Sequence, residues 1–229
     1  MILTIETCSS SGSIAVGTPE NLFAMQYADI RVTHSERVLP QIEACLEAAQ
    51  VTMNDIEIIA VANGPGSFTG VRIGLATAKG LCFARNLPLV PINSLKLIAA
   101  NAYGSAYPIL VLKDARMQEV YCALYTPELE EIIAPACSLP EAILSQIDGK
   151  VIALGDGVNL CSNKFAEYGI QAVIGLPHQH IPLASAMLSL VPKAIKLTSI
   201  DEIADLEPYY LRKSQAEVVR EQRGIPQQK

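Results

Sequence analysis

With 229 residues, half of them apolar, and a positive mean hydropathy, the chain can build one large domain or two small ones around a substantial core. Its net charge of −6 opposes the phosphate backbone and argues against strong nucleic-acid binding by this chain alone. The apolar runs break at charges or prolines well short of a bilayer span, and the sequence opens directly in an apolar strand, so neither a membrane anchor nor a secretory leader is expected.

Met1 to Ile5 reads as a strand, Glu6 to Gly12 as a polar turn and Ser13 to Gly17 as a second strand. Leu22 to Ile30 alternates loosely as a third. Thr33 and Ser35 are N-cap candidates for a helix reaching Gln50, with Pro40 either in its first turn or kinking it. A strand from Ile56 to Ala62 runs into N-G-P-G-S-F-T-G-V-R-I-G-L-A-T-A-K-G-L, Asn63 to Leu81, a glycine turn opening a helix to about Arg85. Leu87 to Ile92 is a strand and Ser94 to Tyr103 a helix. The pattern restarts after Pro108, with a strand Ile109 to Leu112, a turn Asp114-Ala115-Arg116 and a strand Glu119 to Tyr125. Val151 to Leu154 is a strand before Gly155-Asp156-Gly157, Leu183 to Lys196 a helical run, and the charged tail from Glu217 is expected to fray.

Two strand-turn-strand starts predict two α/β lobes, residues 1–105 and 106–216, followed by a flexible tail 217–229. The cysteines Cys8, Cys45, Cys82, Cys122, Cys137 and Cys161 form no C-x-x-C pair and read as small core residues of a reduced, cytoplasmic protein.

The glycine turn has the strand-to-helix setting that presents N–H groups to phosphate, but no Lys-Ser/Thr pair closes it as a P-loop. Gly70, Gly74 and Ala78 fall in a row on one helix face, where another backbone can come close. Val71, Leu75, Ala78 and Cys82 form an apolar stripe beside that row. On the preceding helix Val38, Ile42, Cys45 and Ala49 form another, widened by Leu39 and Leu46. Such a helix pair can form a four-helix bundle with another subunit, or both stripes can be used by the chain's own sheet.

The remaining candidates carry little chemistry. His34-Ser35-Glu36 are adjacent on a helix and cannot align as a triad; a surface contact by His34 is expected. His178-x-His180 lies in a proline-flanked loop and reads as solvated rather than metal-binding. H-E-x-x-H is absent. Glu6 reads as a turn-stabilising carboxylate, Asp114 and Arg116 as a local pair or as part of an inter-lobe cleft, and Gly155-Asp156-Gly157 as turn chemistry or a nucleotide-facing turn. Arg72 and Lys79 read as solvated charge or as contacts to an acidic partner or phosphate.

Six motifs in order carry a resemblance over nearly the whole chain. They are I-L-T-I-E-T-C-S-S-S-G-S-I-A-V at the start, T-H-S-E-R-V-L-P from Thr33, the glycine motif, D-A-R-M-Q-E-V-Y from Asp114, G-D-G at Gly155 and E-P-Y-Y-L-R from Glu207. The chain resembles the TsaB (YeaZ) family of bacterial tRNA threonylcarbamoyladenosine biosynthesis. The resemblance implies a two-lobed fold like that of actin, sugar kinases and heat-shock ATPases, with mixed sheets flanked by helices. It implies a non-catalytic scaffold or activator that forms a heterodimer with the catalytic subunit TsaD and a ternary complex with the ATPase TsaE. It implies a homodimer when alone and contact with tRNA only through the complex. TsaD holds a metal through an H-x-x-x-H pair; here Ser94 and Ile98 stand in its place. No cofactor is implied as required. The docking residues implied are His34, Val38, Leu39, Ile42, Cys45, Leu46, Gly70, Val71, Gly74, Leu75, Ala78 and Cys82. A weakly held nucleotide would lie at Glu6, Ser10, Ser11, Asp114, Arg116, Gly155 and Asp156. The alternatives are a self-sufficient nucleotide-hydrolysing enzyme of that superfamily, against which Glu6 stands where the superfamily has Asp, and a peptidase.

Overall fold

The computed structural model describes residues 1–29 and 34–212, so the Thr33 cap and the tail from Glu217 lie outside the described residues. The first sheet holds β1 (Ile2–Glu6), β2 (Gly12–Gly17), β3 (Leu22–Ala28), β4 (Ile58–Ala62) and β5 (Leu89–Ile92) in the order β3-β2-β1-β4-β5. The β1–β2–β3 meander is antiparallel, whereas β4 and β5 join parallel through the crossover helices α1 (His34–Ala48) and α2 (Phe68–Arg85). A further helix, α3 (Ser94–Ala100), leads to the second half.

The second sheet repeats this plan. Its strands β6 (Ile109–Arg116), β7 (Glu119–Tyr125), β8 (Glu131–Ser138), β9 (Lys150–Leu154) and β10 (Gln171–Ile174) run β8-β7-β6-β9-β10, with antiparallel β6–β7–β8 and parallel β9 and β10. Helices α4 (Pro140–Leu144) and α5 (Val158–Cys161) lie in its connections; α6 (Ala184–Leu190) and α7 (Ile200–Asp205) follow. Two five-stranded mixed sheets of the same order, flanked by helices, are the expected two-lobed actin-like fold.

Both faces of each sheet are covered. α1 and α2 pack Val38, Ile42, Cys45, Leu46, Leu75, Ala78 and Cys82 onto one face of the first sheet, against Leu3, Ile5, Ile14, Val16, Ile59 and Val61. α6 covers the other face through Met187 and Leu188. On the second sheet Ile143, Leu144, Val158 and Cys161 cover one face, and Leu95, Ile98 and Ala99 of α3 the other. Helices α6 and α7, placed by sequence order in the 106–216 lobe, thus pack on the first sheet: Ala184 N–H donates to Ser13 Oγ at 2.9 Å, and Ile203 joins the core under α2.

Several elements differ from expectation. Asp114 to Arg116 continues β6, and the turn falls on Met117 and Gln118, both at positive φ. Pro40 lies in the second turn of α1, on its exposed face. The helical run to Lys196 ends at Leu190, where Pro192 tightens the chain into a 3-10 turn over Val191–Lys193. No described helix is long and apolar enough to cross a membrane.

Candidate functional site

Two features stand out: a cleft between the sheets and the outer face of α1 and α2.

The cleft, about 500 Å³, lies where the β1–β2 turn, the glycine turn, the start of α2 and the β6–β7 hairpin converge; Ser9, Ser10, Phe68, Lys113, Tyr121 and Arg212 line it. The glycine turn is positioned by contacts that leave no room for side chains. A Cβ on Gly66 would collide with the Cys8 carbonyl, and Gly64, at φ 108°, would place one 2.8 Å from the Tyr209 carbonyl oxygen. Ser67 caps α2, its side chain accepting from Gly70 N–H at 3.2 Å.

Of the expected nucleotide residues, Ser10, Asp114, Arg116 and Asp156 reach the cleft. Asp156 accepts from Asp114 N–H at 2.8 Å, and Asp114 takes Arg116 N–H at 2.7 Å and its guanidinium at 3.5 Å. Glu6, Ser11 and Gly155 are buried outside the cleft wall. Glu6 Oε1 accepts from Cys8 N–H at 2.6 Å, the expected turn-stabilising bond, and Oε2 has no hydrogen-bond partner. Burial raises its pKa to about 7, against the opposing pull of the Lys113 charge and the Cys8 N–H. A carboxylate so enclosed is a poor metal ligand; among the described residues no three or more His, Cys, Asp or Glu side chains form a cluster of metal-holding geometry. Ser94 and Ile98 are both buried; Ser94 Oγ donates to the Pro65 carbonyl and Ile98 sits in the core.

Sequence reasoning missed the segment that closes one side of the cleft. Tyr209 N–H donates to Asn63 O at 2.7 Å. Tyr210 stacks on Phe68, centroids 4.7 Å apart, and its hydroxyl accepts from Arg72 Nε at 2.6 Å. Arg212 donates to the Ala115 carbonyl at 2.9 Å and pairs with Glu119 at 3.2 Å. The Glu207–Arg212 motif is thus a strap from the glycine turn to the β6–β7 hairpin. Only its place among the six motifs of the resemblance signalled it, because its partners lie far away in sequence.

The helix pair corrects the docking expectation. Val38, Ile42, Cys45, Leu46, Gly70, Val71, Gly74, Leu75, Ala78 and Cys82 are all buried within this chain, so its own sheet and β1–β2 turn use both stripes, the second of the two uses expected for them. The glycine row is small because the β1–β2 turn presses on it: a Cβ on Gly70 would collide with the Thr7 carbonyl, and one on Gly74 with Thr7 Oγ1. His34 is half-buried, with Nε2 2.8 Å from the Ser9 carbonyl and Nδ1 3.3 Å from Arg37 Nη2; it seals the turn rather than standing out as a surface contact. Leu39 alone of the expected set is exposed, at 52%. The face turned outward carries Glu36, Leu39, Glu43 and Glu47 on α1, and Arg72, Ala76, Gly80 and Phe83 on α2. One helix presents acids, the other a base, small residues and an aromatic ring.

His180, expected to be solvated, has structural contacts instead. Nδ1 accepts from Gly155 N–H at 3.0 Å and Nε2 lies 2.9 Å from the Gly175 carbonyl, holding the turn after β9 against the end of β10. His178 is exposed.

Residues 29–224 match the family model described as tRNA N6-adenosine threonylcarbamoyltransferase, TsaD. The chain is 31% identical to the tRNA threonylcarbamoyladenosine biosynthesis protein TsaB of Bacillus subtilis, over 94% of this chain and 96% of the relative. It is 29% identical to the protein of the same name from Escherichia coli, over the same shares. Among solved structures it is similar to YeaZ from Pseudomonas aeruginosa, with a TM-score of 0.76 and 27% identity, covering 92% of this chain and 99% of that one.

Proposed function

The chain belongs to the TsaB family of tRNA threonylcarbamoyladenosine biosynthesis proteins, and on that premise we propose that it serves this pathway as a non-catalytic subunit. It docks a TsaD homologue through the outer face of α1 and α2, and supports a TsaE homologue in the assembled complex. Alone, it forms a homodimer through the same face. tRNA is reached only through the complex, in the cytoplasm, and no cofactor is required by this chain.

The observation that carries this reading is the unused outer face of the helix pair. Its inner stripes are filled by the first sheet, yet Leu39 and Phe83 remain about half exposed at 52% and 45%. Ala76 and Gly80 let an opposing helix approach closely. Across a two-fold axis the acids of α1 would face Arg72 of α2, whose Nε already holds the Tyr210 hydroxyl but whose charge remains, so one face suits a second copy or a related partner of similar charge layout. The enclosed Glu6 and the buried Ser94 and Ile98 support a role without reacting groups.

The test is size-exclusion chromatography with light scattering, on this chain alone and mixed with the TsaD homologue of its own source. A homodimer that converts to a one-to-one heterodimer is expected. A monomer that ignores TsaD, with and without nucleotide and TsaE, overturns the reading.

A further inference from the structure

We propose that a second cavity, walled by α3, the 3-10 turn after α6 and the β7–β8 turn, binds a short apolar peptide with free ends. Its carboxylate lies at Lys96 and Lys193, and its ammonium among Glu128, Glu130 and Glu131. This site shares no residue with the cleft or with the docking face, and it depends on neither.

The cavity holds about 820 Å³, within the range of small-molecule sites. Its floor is apolar: Pro91 and Ile92 at the end of β5, Ala100 of α3, Leu190 of α6 and Leu129 of the β7–β8 turn. Tyr103 and Ile195 also line it and are 64% and 79% exposed, so two large apolar side chains lack cover there.

The charges in the wall are sorted by sign. The lysines belong to the helical side, Lys96 to α3 and Lys193 to the 3-10 turn, and the three acids belong to the β7–β8 turn. Among the described residues none of these five side chains makes a hydrogen bond or an ion pair, and no ion pair crosses the cavity. The two sets are thus too far apart to satisfy each other, and a ligand with opposite charges at its two ends fits between them. A free amino acid does not, because its carboxylate and ammonium share one carbon. Two or three residues reach about 7–11 Å, at about 3.3–3.6 Å each, and bring apolar side chains for the floor.

The acid wall is pre-organised. Thr126 Oγ1 accepts from the N–H groups of Glu128 and Glu130, each at 3.2 Å, and Leu129 N–H donates to the Thr126 carbonyl at 3.0 Å. Leu129 takes φ 69°, uncommon for a bulky residue, and its side chain is buried in the core while the acids on either side stay exposed. The site also spans both halves of the molecule. Val191 and Ala194, which flank Lys193, pack on the first sheet, whereas the β7–β8 turn belongs to the second. A bound peptide therefore ties the lobes together and should raise the unfolding temperature.

The full chain is titrated by calorimetry with the tripeptide Leu-Ala-Leu, and with the same tripeptide acetylated at its N-terminus, amidated at its C-terminus, or blocked at both. Saturable binding of the free tripeptide is expected, weakened about tenfold or more by either block. Lys96→Met combined with Lys193→Met should weaken the free tripeptide about tenfold and leave the amidated one unchanged, since that one has no carboxylate to lose. A merely structural effect would weaken both. Glu130→Gln should give the mirror pattern, weakening the free and amidated tripeptides but not the acetylated one. Ser189→Trp, at an exposed lining residue, fills the cavity and should abolish binding with the unfolding temperature kept, so the proposal is tested even if the double lysine variant fails to fold. No saturation by the free tripeptide up to about 10 mM, or binding unaffected by Ser189→Trp, overturns the proposal. Equal binding of the doubly blocked tripeptide also overturns it, and would make the cavity a seat for an internal segment of a partner chain.

Discussion

Thr7 and Gly70 are locked face to face. Thr7 Oγ1 donates to the Gly70 carbonyl at 2.7 Å, and the Thr7 carbonyl occupies the space a Gly70 side chain would need. This contact joins the β1–β2 turn to α2, two of the elements that border the cleft. Gly70→Ala should therefore destabilise the monomer by about 2–4 kcal/mol, since backbone rather than a flexible side chain must move. Gly74→Ala meets Thr7 Oγ1 and should also destabilise, by disrupting the Thr7 hydrogen bond. Urea unfolding checks both; a wild-type midpoint for Gly70→Ala would contradict the packing.

Glu6 gives the protein a pH-dependent stability of definite sign. Burial raises its folded-state pKa from the ordinary 4.5 to about 7, so the folded chain prefers the protonated acid. Its contribution is fully present below about pH 4.5 and is lost as the pH rises to about 7, a loss on the order of 3 kcal/mol. Glu6→Gln keeps the acceptor for Cys8 N–H and cannot ionise, so it should flatten this slope and be the more stable protein at pH 8. Unfolding free energies of both proteins at pH 5 and pH 8 give the comparison, and parallel pH profiles would refute the assignment.

Leu39→Asp and Phe83→Asp should abolish both homodimer and heterodimer while leaving the unfolding midpoint near that of the wild type, because both side chains are already about half exposed. Light scattering and thermal unfolding on the same samples separate the two effects. Retained dimers in both variants would move the interface elsewhere.

The strap gives a graded series. Tyr210→Phe keeps the stack on Phe68 and loses the bond from Arg72, so it should cost about 1 kcal/mol or less at this partly exposed site. Tyr210→Ala loses both and should cost about 1–3 kcal/mol. Hydrogen exchange should rise at the start of α2 in Tyr210→Ala, and at the β6–β7 hairpin in Arg212→Gln. Equal costs for the two Tyr210 variants would mean the stack contributes nothing.

What the sequence made legible was mostly local. The glycine turn and α2 follow from residues a few positions apart, and the β1–β2 and β6–β7 hairpins from short apolar runs around polar turns. Strands β8 and β10 were not anticipated: both lie at sheet edges with no fully buried residue, and β8 carries Pro135, so neither shows a clean alternation. The helix stripes were identified but their direction was not. Periodicity marks an apolar face without saying what covers it, and the glycine row points to the Thr7 backbone 63 residues away. Asp114 looked like a turn because Asp favours turns, whereas the actual bend uses Met117 and Gln118 in left-handed conformations. The strap and the bond from Lys113 to Ser9 depend on partners about a hundred residues distant, which no window of sequence contains.

The contacts of α6 with the first sheet bear on how the chain is made. Thr4 donates to the Ala184 carbonyl at 2.9 Å and Ser13 accepts from Ala184 N–H, across 180 and 171 positions. Synthesis runs from the N-terminus, so β1 and β2 leave the ribosome long before the helix that covers them. A nascent chain halted before residue 184 carries a first sheet with much of one face bare. β1, made long before α6, is therefore among the last strands to be enclosed on both sides, and the exposure of that face in truncated chains records how far translation has gone.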